Sequence, residues 1–247
     1  MSMCTTVVQL HQERHMTKYI FRSALTLTAL FATALGAQSS SAVRLQLAPN
    51  TQLTFEGTST LHGFTCTTST MQAYIDVDAS YKTVNLATVT RPIVAVQVVI
   101  PVKSLACGGE LDNNMRNTLN AKKYPYIVYK LSNYEIVAGT ASASAFTAAT
   151  QGTLTIAGSE HPVALTVKAS RAADGVVSAS GAQTIKMTDF GIKPPTFFLG
   201  TLRVGDELKV KFTMNATSAA VASAMSELNI RLASARSADF SPDTPKQ

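Results

Sequence analysis

The sequence of 247 residues contains no tryptophan, and only 15% of its residues are charged. Its hydrophobic content of 46% argues against an intrinsically disordered chain and is typical of a β-rich globular domain. The formal net charge of +6 comes from basic residues that are spread along the chain, without a basic cluster or an aromatic platform. We therefore expect no nucleic-acid partner and ascribe the basic excess to ordinary solubility.

The sequence also lacks the motifs that catalysis and metal binding usually require. It contains no H-x-H, H-E-x-x-H, C-x-x-C or G-x-S-x-G pattern and no glycine-rich phosphate-binding loop. Beyond the N-terminal segment the histidines are His62 and His161, which are far apart in the chain. We expect no enzyme, no metal site and no required cofactor, and a hydrolase that uses His62 is the weakest alternative.

Residues 1–42 comprise a predicted secretory signal from Met16 onward and fifteen upstream residues that fit no part of it. Lys18 and Arg22 form a short basic region, and the apolar run that follows has about 13 residues, fewer than the roughly 20 that span a bilayer. Small residues then place cleavage after Ala37 or Ala42, and we interpret Met16 as the start. We predict a periplasmic or secreted protein without stable membrane insertion; an uncleaved N-terminal anchor is the less favoured alternative.

Secretion determines how the cysteines are interpreted. Cys4 precedes the signal, which leaves Cys66 and Cys107 in the mature chain. Two cysteines in an oxidising compartment predict one disulfide, and a catalytic cysteine is the alternative. Nothing near either cysteine resembles a group that would lower a thiol pKa, so we favour the disulfide.

Short stretches of alternating apolar and polar residues recur between residues 43 and 215. The clearest example is Leu208–Met214, in which each apolar residue is followed by lysine or threonine. We count about eight strands with turn signals between them and no βαβ alternation, which predicts an antiparallel barrel or sandwich in one all-β domain. We place one hairpin connection at 159–162, which would put His161 on the surface. Small inward residues would leave room for one elongated ligand.

One helix interrupts the strands. Leu111, Met115 and Leu119 recur at intervals of four, which predicts a short helix that would cover one barrel mouth, and Pro125 ends it. Residues 216–247 form a different, Ala/Ser-rich segment in which we predict a C-terminal helix and a disordered tail. We favour packing of that helix on the barrel over membrane binding, because its polar face has few basic residues.

Several motifs occur in an order that resembles the YceI-like family of secreted bacterial proteins. They are the segments Gly57–Phe64, Leu119–Tyr129, Gly152–Gly158 and Asp189–Gly191, and the V-G-D-E element that begins at Val204. The resemblance covers residues 43–215. It implies a lipocalin-like, eight-stranded antiparallel barrel in the periplasm, whose pore binds a polyisoprenoid or a similar long amphiphile.

A long apolar ligand needs an apolar channel with few polar anchors, so the candidates for ligand contact are aromatic and aliphatic residues near turns and the inserted helix. They are Phe64, Met115, Leu119, Tyr126, Phe190, Phe197 and Phe198. Plain core packing is the alternative for each of them.

We therefore predict a secreted lipid-binding protein with a long-chain apolar small molecule, such as an isoprenoid quinone, as its partner. The alternative is a barrel with a filled core that acts at the cell envelope through its outer surface, without catalysis. The sequence does not decide between a monomer and a homodimer.

Overall fold

In this computed structural model the described residues are 42–219, and they form twelve strands, one α-helix and four 3-10 turns. The strands are β1 (Ala42–Leu47), β2 (Gln52–Thr58), β3 (Gly63–Thr68), β4 (Gln72–Asp78), β5 (Ile93–Pro101), β6 (Tyr126–Ile136), β7 (Ala145–Ile156), β8 (Ser159–Arg171), β9 (Val177–Lys186), β10 (Thr196–Phe197), β11 (Leu202–Arg203) and β12 (Glu207–Ser218). The helix α1 is Glu110–Thr118, and the 3-10 turns are Ala79–Lys82, Val102–Ser104, Thr188–Phe190 and Phe198–Gly200.

Ten of the strands form one antiparallel sheet that closes on itself, because β1 pairs with both β4 and β12. β1 and β2 follow one another along β12, with Leu47 opposite Ala216 and Gln52 opposite Thr213. β3 and β4 likewise follow one another along β2 and β1. Each of these pairs acts as one bent strand, so the sheet is an eight-stranded antiparallel barrel with one inserted helix. This confirms the predicted all-β barrel.

The alternation in the sequence becomes an inner and an outer face. Along β8, Val163, Leu165 and Val167 are half-buried, while the residues between them are exposed. In a strand, successive side chains point to opposite faces, so these three point into the barrel. They keep partial accessibility because the barrel interior is not completely filled.

The connection between β7 and β8 is shorter than predicted, which corrects the hairpin at 159–162. Ala157 and Gly158 make the turn with φ values of 48° and 79°, and residues 159–162 already belong to β8. Two consecutive residues with positive φ give the tight turn whose twist matches a hairpin, and glycine adopts that conformation readily. His161 is consequently half-buried and packs edge-on against Phe190, with 5.5 Å between the ring centroids.

The predicted helix is confirmed as α1, although it ends at Thr118, where Leu119 caps it. Asn120 follows with a φ of 49°, so the backbone leaves the helix several residues before its predicted end at Pro125. At the other end of the domain β12 continues to Ser218, three residues past the predicted limit at 215. The predicted signal within 1–42 and the C-terminal helix lie outside the described residues, apart from their ends next to the barrel.

The helices of the described region are short. Within residues 42–219 none is long and apolar enough to cross a membrane.

A glycine on the inner face of β9 makes room for an aromatic ring. Gly181 lies directly opposite Phe212 of β12, and a Cβ atom at Gly181 would lie 2.8 Å from the Phe212 ring and 2.9 Å from the Thr166 carbonyl oxygen. We expect Gly181→Val to destabilise the protein by about 1–3 kcal/mol through overpacking. Urea unfolding of the variant measures this, with Ala182→Val on the outer face of the same strand as the control. Equal midpoints for the two variants would contradict the packing of Phe212 over Gly181.

Candidate ligand-binding cavity

The barrel encloses one continuous cavity of about 330 Å³. Each of the eight barrel strands contributes side chains to its lining, when β1 with β2 and β3 with β4 are counted as one bent strand each. The helix α1 contributes as well. At one end the lining includes Tyr81 and Leu86, and at the other it includes Met115, Phe190 and Phe197. The cavity therefore runs along the barrel rather than forming a shallow cleft at one end.

Small inward side chains on two strands leave part of this space open. Ala148 on β7 and Ala179 on β9 line the cavity, whereas the positions of Gly152 and Gly181 are taken up by the rings of Tyr129 and Phe212. Larger residues such as Leu165 on the intervening strand β8 line the walls. Apolar walls around an unfilled centre favour an apolar occupant, because a water molecule there would find few hydrogen-bond partners.

Several polar groups of the lining make local hydrogen bonds, whereas the buried hydroxyl of Tyr81 has no partner among the described residues. The Thr150 hydroxyl donates to the Leu165 carbonyl oxygen at 3.1 Å. Burial raises the pKa of Tyr129, and a hydrogen bond with Thr150 offsets part of that effect, so Tyr129 is neutral at physiological pH. Arg171 is the one charged side chain among the described lining residues, and its guanidinium donates to the carbonyl oxygens of Tyr81 and Ala143. The middle of the cavity thus offers no free charge to a ligand.

A cross-linked loop holds α1 at the mouth. Cys66 of β3 forms a disulfide with Cys107, as predicted, and Ala106 pairs with Thr67. Asp112 on the first turn of α1 accepts hydrogen bonds from the backbone N–H groups of Cys107 at 2.6 Å and Gly108 at 2.9 Å.

These two N–H donors lower the pKa of Asp112, so the carboxylate stays charged at neutral pH. The disulfide and the carboxylate together fix the start of α1, and α1 then presents Leu111 and Met115 to the cavity.

The structure brings five of the seven predicted contact residues to the cavity. They are Phe64, Met115, Leu119, Phe190 and Phe197. The other two lie outside it: Tyr126 is 54% exposed and Phe198 is 76% exposed. In both cases a neighbour faces inward instead. Ile127 follows Tyr126 in β6, where successive side chains alternate, and Phe197 precedes Phe198, which begins a turn with a φ of 50°.

The sequence interpretation missed most of the cavity wall. Phe55, Phe146, Leu154, Leu165 and Phe212 line the cavity, but all of them lie in regular strands rather than near turns. Strand alternation contained the signal for these residues, since each has exposed or polar neighbours on the opposite face. That signal does not distinguish a residue that lines a cavity from one that fills a core.

Among residues 42–219 no group of three or more histidine, cysteine or acidic side chains is arranged to hold a metal ion. The His62 ring is exposed, and its Nδ1 lies 2.7 Å from the carbonyl oxygen of the next residue, Gly63. The short Ser59–His62 turn carries it, in which the Ser59 hydroxyl donates to the His62 carbonyl oxygen.

We compared the chain with known proteins and solved structures. No curated protein matches the chain. Among solved structures, BcnA of Burkholderia cenocepacia is similar at 20% identity and a TM-score of 0.54, over 68% of this chain and 96% of that one. A polyisoprenoid binding domain from Saccharophagus degradans, implicated in plant cell wall breakdown, is similar at 14% identity and a TM-score of 0.53, over 72% and 99% of the two chains. At these identities the likeness concerns the fold. The YceI-like domain matches residues 37–216, and the chain therefore belongs to the YceI-like family.

Proposed function

We propose that this protein is a secreted or periplasmic binding protein that holds a polyisoprenoid or a similar long amphiphile inside its barrel. The observation that carries the proposal is the continuous cavity, whose wall is almost entirely apolar. The similar domain from Saccharophagus degradans is described as binding polyisoprenoids, which supports the same ligand class here.

The physical basis of binding is burial of apolar surface. A hydrocarbon chain that leaves water gains roughly 25 cal/mol for each Å² of apolar surface covered, less the cost of ordering the chain. β8 has 13 residues and so spans about 40 Å along its own axis, which at the usual tilt of barrel strands is about 30 Å along the barrel. That length accommodates an extended chain. With no free charge in the middle of the cavity, a polar head group is better placed at the mouth, near α1.

The cavity weakens the alternative of a barrel with a filled core. A filled barrel has its inward side chains in mutual contact, at the packing density of a protein interior. Here inward residues such as Val163 and Ala179 stay partly accessible from inside, and a volume of about 330 Å³ is left empty. That space is at the lower end of the range found for small-molecule sites.

Native mass spectrometry of the protein, purified from its own secretory compartment without detergent, tests the proposal. We expect an additional mass that organic extraction releases as a long apolar chain. If the protein has only its own mass, less two hydrogens for the disulfide, and stays unshifted after incubation with isoprenoid quinones, the proposal is wrong.

A charge on the inner face of α1 should weaken ligand binding. Met115 lines the cavity, whereas Asn117 on the same helix is exposed. We expect Met115→Asp to reduce quinone binding about tenfold or more, because a buried carboxylate next to a hydrocarbon chain is poorly solvated. Quinone titration with Asn117→Asp as the matched control checks this. Equal affinities for the two variants would place the ligand away from α1.

A further inference from the structure

An uncovered apolar tip lies at the end of the barrel that carries α1. β10 and β11 pair as a hairpin, with Phe197 opposite Leu202, and Phe198 and Leu199 form its tip. The side chains of Phe198 and Leu199 are 76% and 108% exposed. The hairpin lies at the end of the cavity that α1 lines, because Phe197 contributes to the lining there together with Met115 and Phe190.

The tip has a defined conformation. Phe198 and Leu199 have φ values of 50° and 54°, which non-glycine residues rarely adopt. The Thr201 hydroxyl donates to the Phe198 carbonyl oxygen at 2.8 Å, and the Arg203 Nε donates to the Gly200 carbonyl oxygen at 3.0 Å. These bonds hold a turn that directs two large apolar side chains into solvent. Exposing these side chains does not stabilise the fold, so the strained turn calls for a functional explanation.

A second loop is joined to this hairpin and adds a third apolar side chain. The Thr60 N–H donates to the Arg203 carbonyl oxygen at 3.0 Å, and the Thr60 hydroxyl donates to the Thr201 carbonyl oxygen at 3.1 Å. The next residue, Leu61, is 74% exposed. The three most exposed large apolar side chains of residues 42–219 therefore belong to two loops that are hydrogen-bonded to each other at one end of the barrel.

The charged residues within the hairpin segment are basic. Between Phe190 and Gly205 they are Lys193 and Arg203, both exposed, and the nearest acidic residues along the chain, Asp189 and Asp206, lie just outside this segment. Cations beside protruding apolar side chains match a surface that is negatively charged outside and apolar beneath, which is the profile of a bilayer with anionic lipids. Three side chains are too few for a stable protein–protein interface, whereas a few side chains suffice for interfacial insertion.

We propose that the apolar tip, composed of Leu61, Phe198 and Leu199, docks the protein onto the surface of a bilayer that contains anionic phospholipid. Phe198 and Leu199 insert among the head groups, Lys193 and Arg203 contact lipid phosphates, and the cavity mouth faces the membrane. The inference rests on the proposed lipid-binding function, since a ligand dissolved in a bilayer is the reason to bring the mouth there.

Co-sedimentation with vesicles of phosphatidylethanolamine and phosphatidylglycerol tests the docking. We expect the wild-type protein to sediment with the vesicles. The affinity of the double variant F198S/L199S for the vesicles should be lower by a factor of about ten or more. Lys193→Glu should remove the preference for vesicles that contain phosphatidylglycerol. The double variant V94S/V137S, which alters exposed apolar residues of the barrel away from the tip, is the matched control and should bind as the wild type does.

A parallel measurement separates docking from ligand binding. Farnesol binding in vesicle-free solution, followed by native mass spectrometry, should be the same for the wild type and F198S/L199S. If the wild type binds farnesol but does not sediment with vesicles, the docking is wrong and the proposed function stands. If it sediments through the tip but binds no isoprenoid, the docking stands and the proposed function is wrong. Dimerisation that depends on the tip, without sedimentation, would make the tip a self-association surface and overturn the docking.

Discussion

Removing the disulfide with the double variant C66A/C107A is expected to lower the free energy of unfolding by about 4 kcal/mol. The two cysteines are separated by 41 residues, and in the chain-entropy account a loop of that length gives about this value. Urea unfolding of the variant and of the wild type measures it. The effect is large because the total stability of a domain is typically only about 5–15 kcal/mol.

The same variant should release its ligand faster, because the disulfide connects β3 to the loop that precedes α1. The hydrogen bonds from Cys107 and Gly108 to Asp112 do not involve the sulfur atoms and so persist in the variant. We therefore expect α1 to form but to open more often. Wild-type protein in reductant is the control and should match the variant. A change in stability of less than about 1 kcal/mol would mean that the unfolded chain is already compact around this loop.

The type of fold follows from local patterns that the sequence contains. Val163, Leu165 and Val167 alternate with exposed residues, so β8 and its neighbours could be predicted as half-buried strands. Without helices between the strands the sheet had to be antiparallel, and closure of eight strands leaves no free edge. Leu111 and Met115, four residues apart, were enough to predict α1 and the face that it turns toward the barrel.

The cavity could be predicted only in outline, because its volume is the small difference between the barrel interior and the side chains that point into it. That difference depends on register. Gly181 makes space for Phe212 only because the two lie opposite one another, and no local pattern contains this pairing. The same limit applies to Phe197 and Phe198. The pairing of Phe197 with Leu202 and the turn that begins at Phe198 decide which ring faces the cavity, and no local pattern contains either of them.

The turn at Ala157 and Gly158 shows a different limit. The residues that follow it, including Pro162, have the composition of a loop, yet they extend β8. Proline is tolerated there because β8 pairs with β9 only from Val167 onward, so at Pro162 one side of the strand has no ladder to interrupt. The composition of residues 159–162 alone indicates a loop and contains no information on which neighbouring strands pair with this segment.

Filling the cavity should abolish binding without unfolding the protein, and Ala179→Phe is the variant that separates the two. Ala179 lies on the inner face of β9 and lines the cavity, so a phenyl ring at this position occupies space that the ligand needs. Burying a phenyl ring contributes roughly 1.5–3 kcal/mol, which offsets the local adjustment that the larger side chain demands. We expect quinone affinity to fall more than tenfold while the midpoint of thermal unfolding stays equal to that of the wild type or rises.

Ala182→Phe is the matched control, because it adds the same ring three residues further along β9 on the exposed outer face. It should bind quinone as the wild type does. If Ala179→Phe binds normally and is as stable as the wild type, the ligand lies outside the barrel, and the envelope protein that acts through its outer surface becomes the better account. Lower affinity in Ala179→Phe alone, with both variants folded, would locate the apolar chain inside the barrel next to Ala179, because Ala179 faces the cavity and Ala182 faces outward.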